Sequence, residues 1–185
     1  MPKSQMNAIR TLLTGALAAT AACSLSSAAL AQASATQATN STATIFQPIL
    51  LAKNSDLSFG TVVRPISGSG TVTIDPATGN RNLTGSGALL NTGPNAAAGR
   101  ASYTVTGEGG QTFSITVPAS FNMTRTGGSE TIAVTLTATA TTGALSSALG
   151  ATGTSTFGVG GAIPVANTTA SGAYTGTFNV IVAYN

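Results

Sequence analysis

Residues 101–118 read ASYTVTGEGGQTFSITVP. Tyr103 and Val105 alternate with Ser and Thr before the Glu108-Gly109-Gly110 step, and Phe113, Ile115 and Val117 alternate after it. A period of two marks a strand with one buried face. The glycine pair supplies a turn. The stretch is therefore expected to be a β-hairpin with Glu108 at its tip.

The same pattern recurs on both sides. GTVTID places Val72 and Ile74 on one face, and TIAVTLTATA does the same for Ile132, Val134, Leu136 and Ala138. DLSFGTVV puts Leu57, Phe59 and Thr61 together, and TATIFQPILLA is broken by Pro48, which points to an edge or a change of sheet. DPATGN, residues 75–80, carries strong turn chemistry: Asp to start, Pro with a fixed φ, then Gly-Asn for a positive one. Residues 85–100 and 139–153 read as long surface loops. STFGVGGAIPV reads as a glycine-interrupted strand with Pro164 near its end. No apolar pattern repeats at helical spacing over several turns. Short strands punctuated by Gly and Pro predict an all-β antiparallel sandwich.

The last fourteen residues, GAYTGTFNVIVAYN, form the clearest strand pattern in the chain. Tyr174, Phe178, Val180, Val182 and Tyr184 alternate on a face expected to meet the core. Ile181 breaks the polar outer face, so that part of the strand is expected to be covered. These six residues are the expected strand-pairing edge. Its partner is expected to be either the segment around Thr42 to Leu51 of the same chain or a strand from a neighbour.

Composition narrows the function. Of 185 residues, only 6% are charged against 42% hydrophobic, whereas soluble domains carry roughly 25% charged residues. Thr and Ser must wet the surface, and Thr favours strands. The start of the chain reads as a secretory signal over residues 1–31. Lys3 and Arg10 give a positive region, residues 11–22 an apolar stretch, and Ala29-Leu30-Ala31 a small-residue site with cleavage between Ala31 and Gln32. Acylation of Cys23 as a lipoprotein is the alternative, although Thr20 stands where a leucine usually precedes the cysteine. The apolar stretch is too short and too broken by Thr to favour a membrane anchor. The expectation is an exported protein of periplasm, outer surface or extracellular space. It has a flexible arm at 32–41, a single domain at 42–185 and no transmembrane segment in the mature chain.

The chemistry of common enzymes has few carriers here. There is no His, and the single Cys lies in the leader, so Ser–His and Cys–His schemes and the usual zinc sites lack their residues. The four carboxylates, Asp56, Asp75, Glu108 and Glu130, all read as turn residues. No calcium-type D-x-D-x-D spacing occurs. GEGGQT has no following Lys and is not a phosphate loop. The mature charges are scattered, with no basic patch for nucleic acid. No catalytic, cofactor or metal residue is assigned, and the chain is read as a non-enzyme.

Three stretches together, TATIFQPILLAKNSDLSFGTV, ASYTVTGEGGQTFSITVP and VGGAIPVANTTASGAYTGTFNVIVAYN, resemble the small secreted proteobacterial proteins of family 4402 of the domains of unknown function. More distantly, the first and last also resemble the spore coat U type subunits of archaic chaperone–usher pili. That second resemblance implies an immunoglobulin-like sandwich lacking one strand, which a neighbouring subunit donates. It also implies a periplasmic chaperone and an outer-membrane usher as partners. Two features depart from the pilin pattern. No Cys lies near DLSFG, and the arm offers only Ala33, Ala35, Ala38 and Ala43 before Ile45 and Phe46. Such an arm fills little of a groove, since a large aliphatic side chain is worth roughly 1.5–3 kcal/mol on burial and one methyl far less. The expected role is a structural or adhesive surface subunit, fimbria-like, that assembles by strand pairing at its terminal edge. The alternative is a self-contained binding module acting through its long loops.

Overall fold

The computed structural model describes residues 34–93 and 97–185. The expected signal segment, with Cys23, Ala31 and Gln32, lies outside the described residues. Residues 34–43 are exposed and without regular secondary structure, and the compact unit that carries the strands spans Thr44–Asn185.

Thirteen strands form this unit, and no helix occurs among the described residues. They are β1 (Leu50–Ser55), β2 (Thr61–Val63), β3 (Ser69–Ile74), β4 (Arg81–Gly85), β5 (Ala88–Leu90), β6 (Ala101–Glu108) and β7 (Thr112–Thr116). Then follow β8 (Ser120–Arg125), β9 (Thr131–Ala138), β10 (Thr142–Ala144), β11 (Thr152–Ala166), β12 (Tyr174–Thr175) and β13 (Ile181–Tyr184). An eight-stranded sheet runs β1-β6-β11-β9-β8-β12, with β3 and β4 branching from β11. A three-stranded sheet runs β10-β7-β13, and β2 pairs β5. Every pairing is antiparallel. The fold is the all-β sandwich that the alternating pattern predicts.

The core follows the period of two. Tyr103 and Val105 on β6, Phe113 and Ile115 on β7, Val72 and Ile74 on β3, and Ile132, Val134 and Leu136 on β9 are all buried in one cluster. The Ser and Thr residues between them take the other face. Tyr103 stacks on Phe157 with ring centroids 5.2 Å apart, and its burial pushes the phenol pKa up. The turn at residues 75–80 joins β3 to β4 as a hairpin, with the Asp75 amide donating to the Asn80 carbonyl at 3.0 Å.

Two expectations are corrected. Residues 101–118 are not a paired hairpin: β6 pairs β1 and β11, whereas β7 pairs β10 and β13. The chain crosses between sheets at Gly109–Gly110. Tyr103, Val105, Phe113 and Ile115 therefore share the core as members of different sheets. Glu108 is correspondingly not at an exposed tip; it is 2% exposed. The long loops at 85–100 and 139–153 also contain short paired strands, β5 and β10.

β11 organises the sheets. One edge pairs β6 through residues 152–159 and β3 through residues 161–166. The other edge pairs β9 only over residues 159–162. The Thr139 amide donates to the Gly158 carbonyl, and the Gly158 amide to the Thr139 hydroxyl, so even-numbered residues of β11 face β9. The next even residue after Ala162 is Pro164, which has no N–H to offer. Beyond it β11 stays with β3 while the start of β9 stays with β8, and the sheet splits.

Candidate functional site: the terminal edge and its cleft

The terminal stretch is not one continuous strand. Tyr174–Thr175 pairs β8, with Tyr174 opposite Arg125. Ile181–Tyr184 pairs β7, with Tyr184 opposite Phe113. Residues 176–180 between them belong to no strand. The stretch therefore leaves the large sheet and joins the small one. Phe121 and Phe178, with ring centroids 5.1 Å apart, pin the crossing. A Cβ on Gly176 would sit 2.7 Å from the Asn122 carbonyl oxygen, so the crossing lies close on β8. Both partners belong to the same chain, but neither is the expected segment 42–51. That segment leads into β1, which pairs β6, and meets the terminal strand only through Phe46 and Gln47 at Tyr184.

Face assignments hold along the stretch. Tyr174, Phe178, Val180, Val182 and Tyr184 are half-buried against the core. Ile181 is on the outer face as read, but within the single chain it is uncovered, at 60% exposure. β13 is also an edge: β7 lies on one side, and no strand among the described residues lies on the other.

Beside this stretch the split sheet opens. A cleft of about 850 Å³ is floored by Leu57, Phe59, Met123, Ile132, Ile163 and Val165. A second, of about 280 Å³, shares Leu57, Phe59, Met123 and Tyr174 with the first and extends along residues 174–178. One wall is the segment from Asp56 to Arg64, and the other is the terminal stretch and the loop before it. Three arginines hold these walls through backbone carbonyls. Arg81 donates to the Phe59 and Thr61 carbonyls at 3.0 and 3.2 Å. Arg125 donates to the Ser171 carbonyl at 3.0 Å. Arg64 spans from one wall to the other, donating to the Thr169 carbonyl at 2.8 Å. None of these contacts was legible as function in the sequence, where the arginines read only as scattered charge.

The carboxylates are each engaged separately. Asp56 pairs with Lys53, which raises the lysine pKa. Glu130 is held low by its hydrogen bond from Arg125. Asp75 accepts from the Ala77 and Thr78 amides at 2.8 and 2.7 Å. Glu108 accepts from the Gln47 amide at 3.1 Å and from the Gly150 amide. No group of three or more acidic, His or Cys side chains gathers as a metal site among the described residues. No helix among them is long and apolar enough to cross a membrane.

Neither a curated protein nor a solved structure matches the chain. The model of one family, described as a domain of unknown function (DUF4402), matches residues 49–184. That span runs from the entry to β1 through Tyr184 and takes in the cleft and the terminal edge, so the chain belongs to the DUF4402 family.

Proposed function

We propose that this protein is an exported, non-catalytic surface subunit, structural or adhesive and fimbria-like, that assembles by strand addition at its terminal edge. One observation carries the reading. The last stretch leaves its ladder at residues 176–180 alongside an apolar-floored cleft, and continues into an edge strand with Ile181 60% exposed. An apolar trough beside backbone that belongs to no strand suits an extended segment: the backbone gives affinity, and alternate side chains fill the trough. An open edge of this kind otherwise invites uncontrolled pairing. A donor from a second copy makes the contact heterologous, and such contacts repeat into a fibre unless they close. The resemblance to archaic pilins supports the same reading and adds a periplasmic chaperone and an outer-membrane usher as partners.

The test is the behaviour of the chain as exported by the expressing cell. Size-exclusion chromatography should give concentration-dependent polymers. Thermal unfolding should rise on adding a peptide with alternating bulky apolar residues. A stable monomer that unfolds in two states and ignores such peptides would sink strand addition and favour the self-contained binding module. Chaperone and usher genes beside its own would strengthen the first reading.

A further inference from the structure

Upstream of β1, bulky apolar side chains occur only at Ile45, Phe46 and Ile49 among residues 34–49; the rest are Ala, polar residues and Pro48. The hydrogen bonds and ring contact that hold this approach converge on two residues. The Gln47 amide donates to Glu108 Oε2 at 3.1 Å, and the Tyr184 hydroxyl donates to the Gln47 carbonyl at 2.9 Å. Thr152 Oγ1 donates to Gln47 Oε1 at 3.0 Å. The Phe46 ring lies 6.0 Å from that of Tyr184. Glu108 is the hub. Its other oxygen accepts from the Gly150 amide, and its own amide donates to Tyr184 Oη at 2.7 Å. Neither ion pair among the described residues involves it. Gly107 makes room for the arrangement, because a Cβ there would collide with Tyr184 Oη.

We infer that Phe46–Gln47 is a releasable latch that docks on Glu108 and Tyr184 and tethers the N-terminal segment, with Ile45 and Phe46, so that it cannot extend onto a second copy. This rests on the strand-addition reading and adds its control. With Ile49 left packed against the core, the docked state gives up little apolar burial on release, since Ile45 is 88% and Phe46 44% exposed while docked. Release also hydrates the Glu108 oxygen that Gln47 had served, so the buried carboxylate is not left orphaned. The docked and free forms thus lie close in energy, as a two-state element requires. Release frees Ile45 and Phe46, which point to opposite faces of an extended chain, while Ile49 stays packed against the core. An arm whose other apolar residues are only alanines then gains filling power.

Amide hydrogen exchange on the exported chain tests the latch, and light scattering tests its consequence. Glu108→Gln and Tyr184→Phe should each raise exchange at Gln47 about tenfold or more, while the amides of Val105 and Val134 keep their protection. Both variants should assemble several-fold faster than the native chain. Unchanged exchange at Gln47 in Tyr184→Phe, the milder variant, overturns the latch. Faster exchange with no faster assembly, in a native chain that does assemble, overturns the control but not strand addition. If no chain assembles, the strand-addition reading fails and control over assembly fails with it; exchange at Gln47 still decides whether the latch exists.

Discussion

Two turns of this molecule carry a carboxylate that accepts backbone amides, yet only one was readable. Asp75 accepts from residues two and three positions ahead. The bonds to Glu108 come from residues 61 and 42 positions away, and the amide of Glu108 itself bonds a residue 76 positions away. The first turn closes on itself, so local chemistry determines it. The second is fixed by three distant segments that meet only after folding. A local turn of this kind adjusts a hairpin, whereas a long-range hub joins sheets.

The largest effect should come from truncating the hub. Glu108→Ala removes the acceptor for two amides at a site 2% exposed. Hydrogen bonds to charged groups contribute about 1.5–3 kcal/mol each. Part of that is returned, because the buried carboxylate no longer needs desolvating. The net loss should be on the order of 2–3 kcal/mol by urea denaturation. A loss smaller than that of Asp75→Ala would break the contrast between the two turns.

Gly107→Ala should rank next. The added methyl meets the Tyr184 hydroxyl and, at 3.1 Å, a methyl of Leu145. Overpacking of this kind costs about 1–3 kcal/mol. The Tyr184 ring must move, so its bonds to the Glu108 amide and the Gln47 carbonyl should break together. Combined with Tyr184→Phe, the substitution should cost less than the sum of the two, since they remove the same bonds. Full additivity would show that Gly107 acts on something other than Tyr184.

The same division separates what was legible elsewhere. The alternation that buries Val72, Ile74, Ile132, Val134 and Leu136 was plain, because strand geometry alone sets it. The faces of Tyr174 through Tyr184 were plain for the same reason. Which strand lies beside which was not, because alternation does not encode a partner. Residues 101–118 looked like a hairpin because both halves alternate, and two strands facing each other across a core alternate just as well. The cleft was hidden altogether. It follows from β9 parting from β11 beyond Ala162, where Pro164 can offer no N–H. In the sequence Pro164 showed only as lying near the end of its strand; the register carried on from Ala162↔Thr135 would set it opposite Ala133, 31 positions away.

The smallest expected effect belongs to the local turn and is a matter of pH. Asp75 is held below its ordinary value of 3.8, first by the Thr78 amide, then by the Thr78 hydroxyl and the Ala77 amide. A carboxyl whose pKa is depressed in the fold stabilises the fold above its unfolded value, and that contribution is lost as pH falls through the folded one. Asp75→Asn should therefore lower the unfolding midpoint slightly at neutral pH. The gap between variant and native chain should close as pH drops below 3.8. Glu130 is depressed from 4.5 by Arg125 and titrates in a neighbouring window, so the comparison needs Glu130→Gln as background. In that background, the protection from exchange of the Thr78 amide, which donates to the Asp75 carboxylate at 2.7 Å, should fall with acid in the Asp75 chain and stay flat in Asp75→Asn. Equal acid sensitivity in both chains would mean that the turn is held by its Pro and Gly backbone and not by its carboxylate.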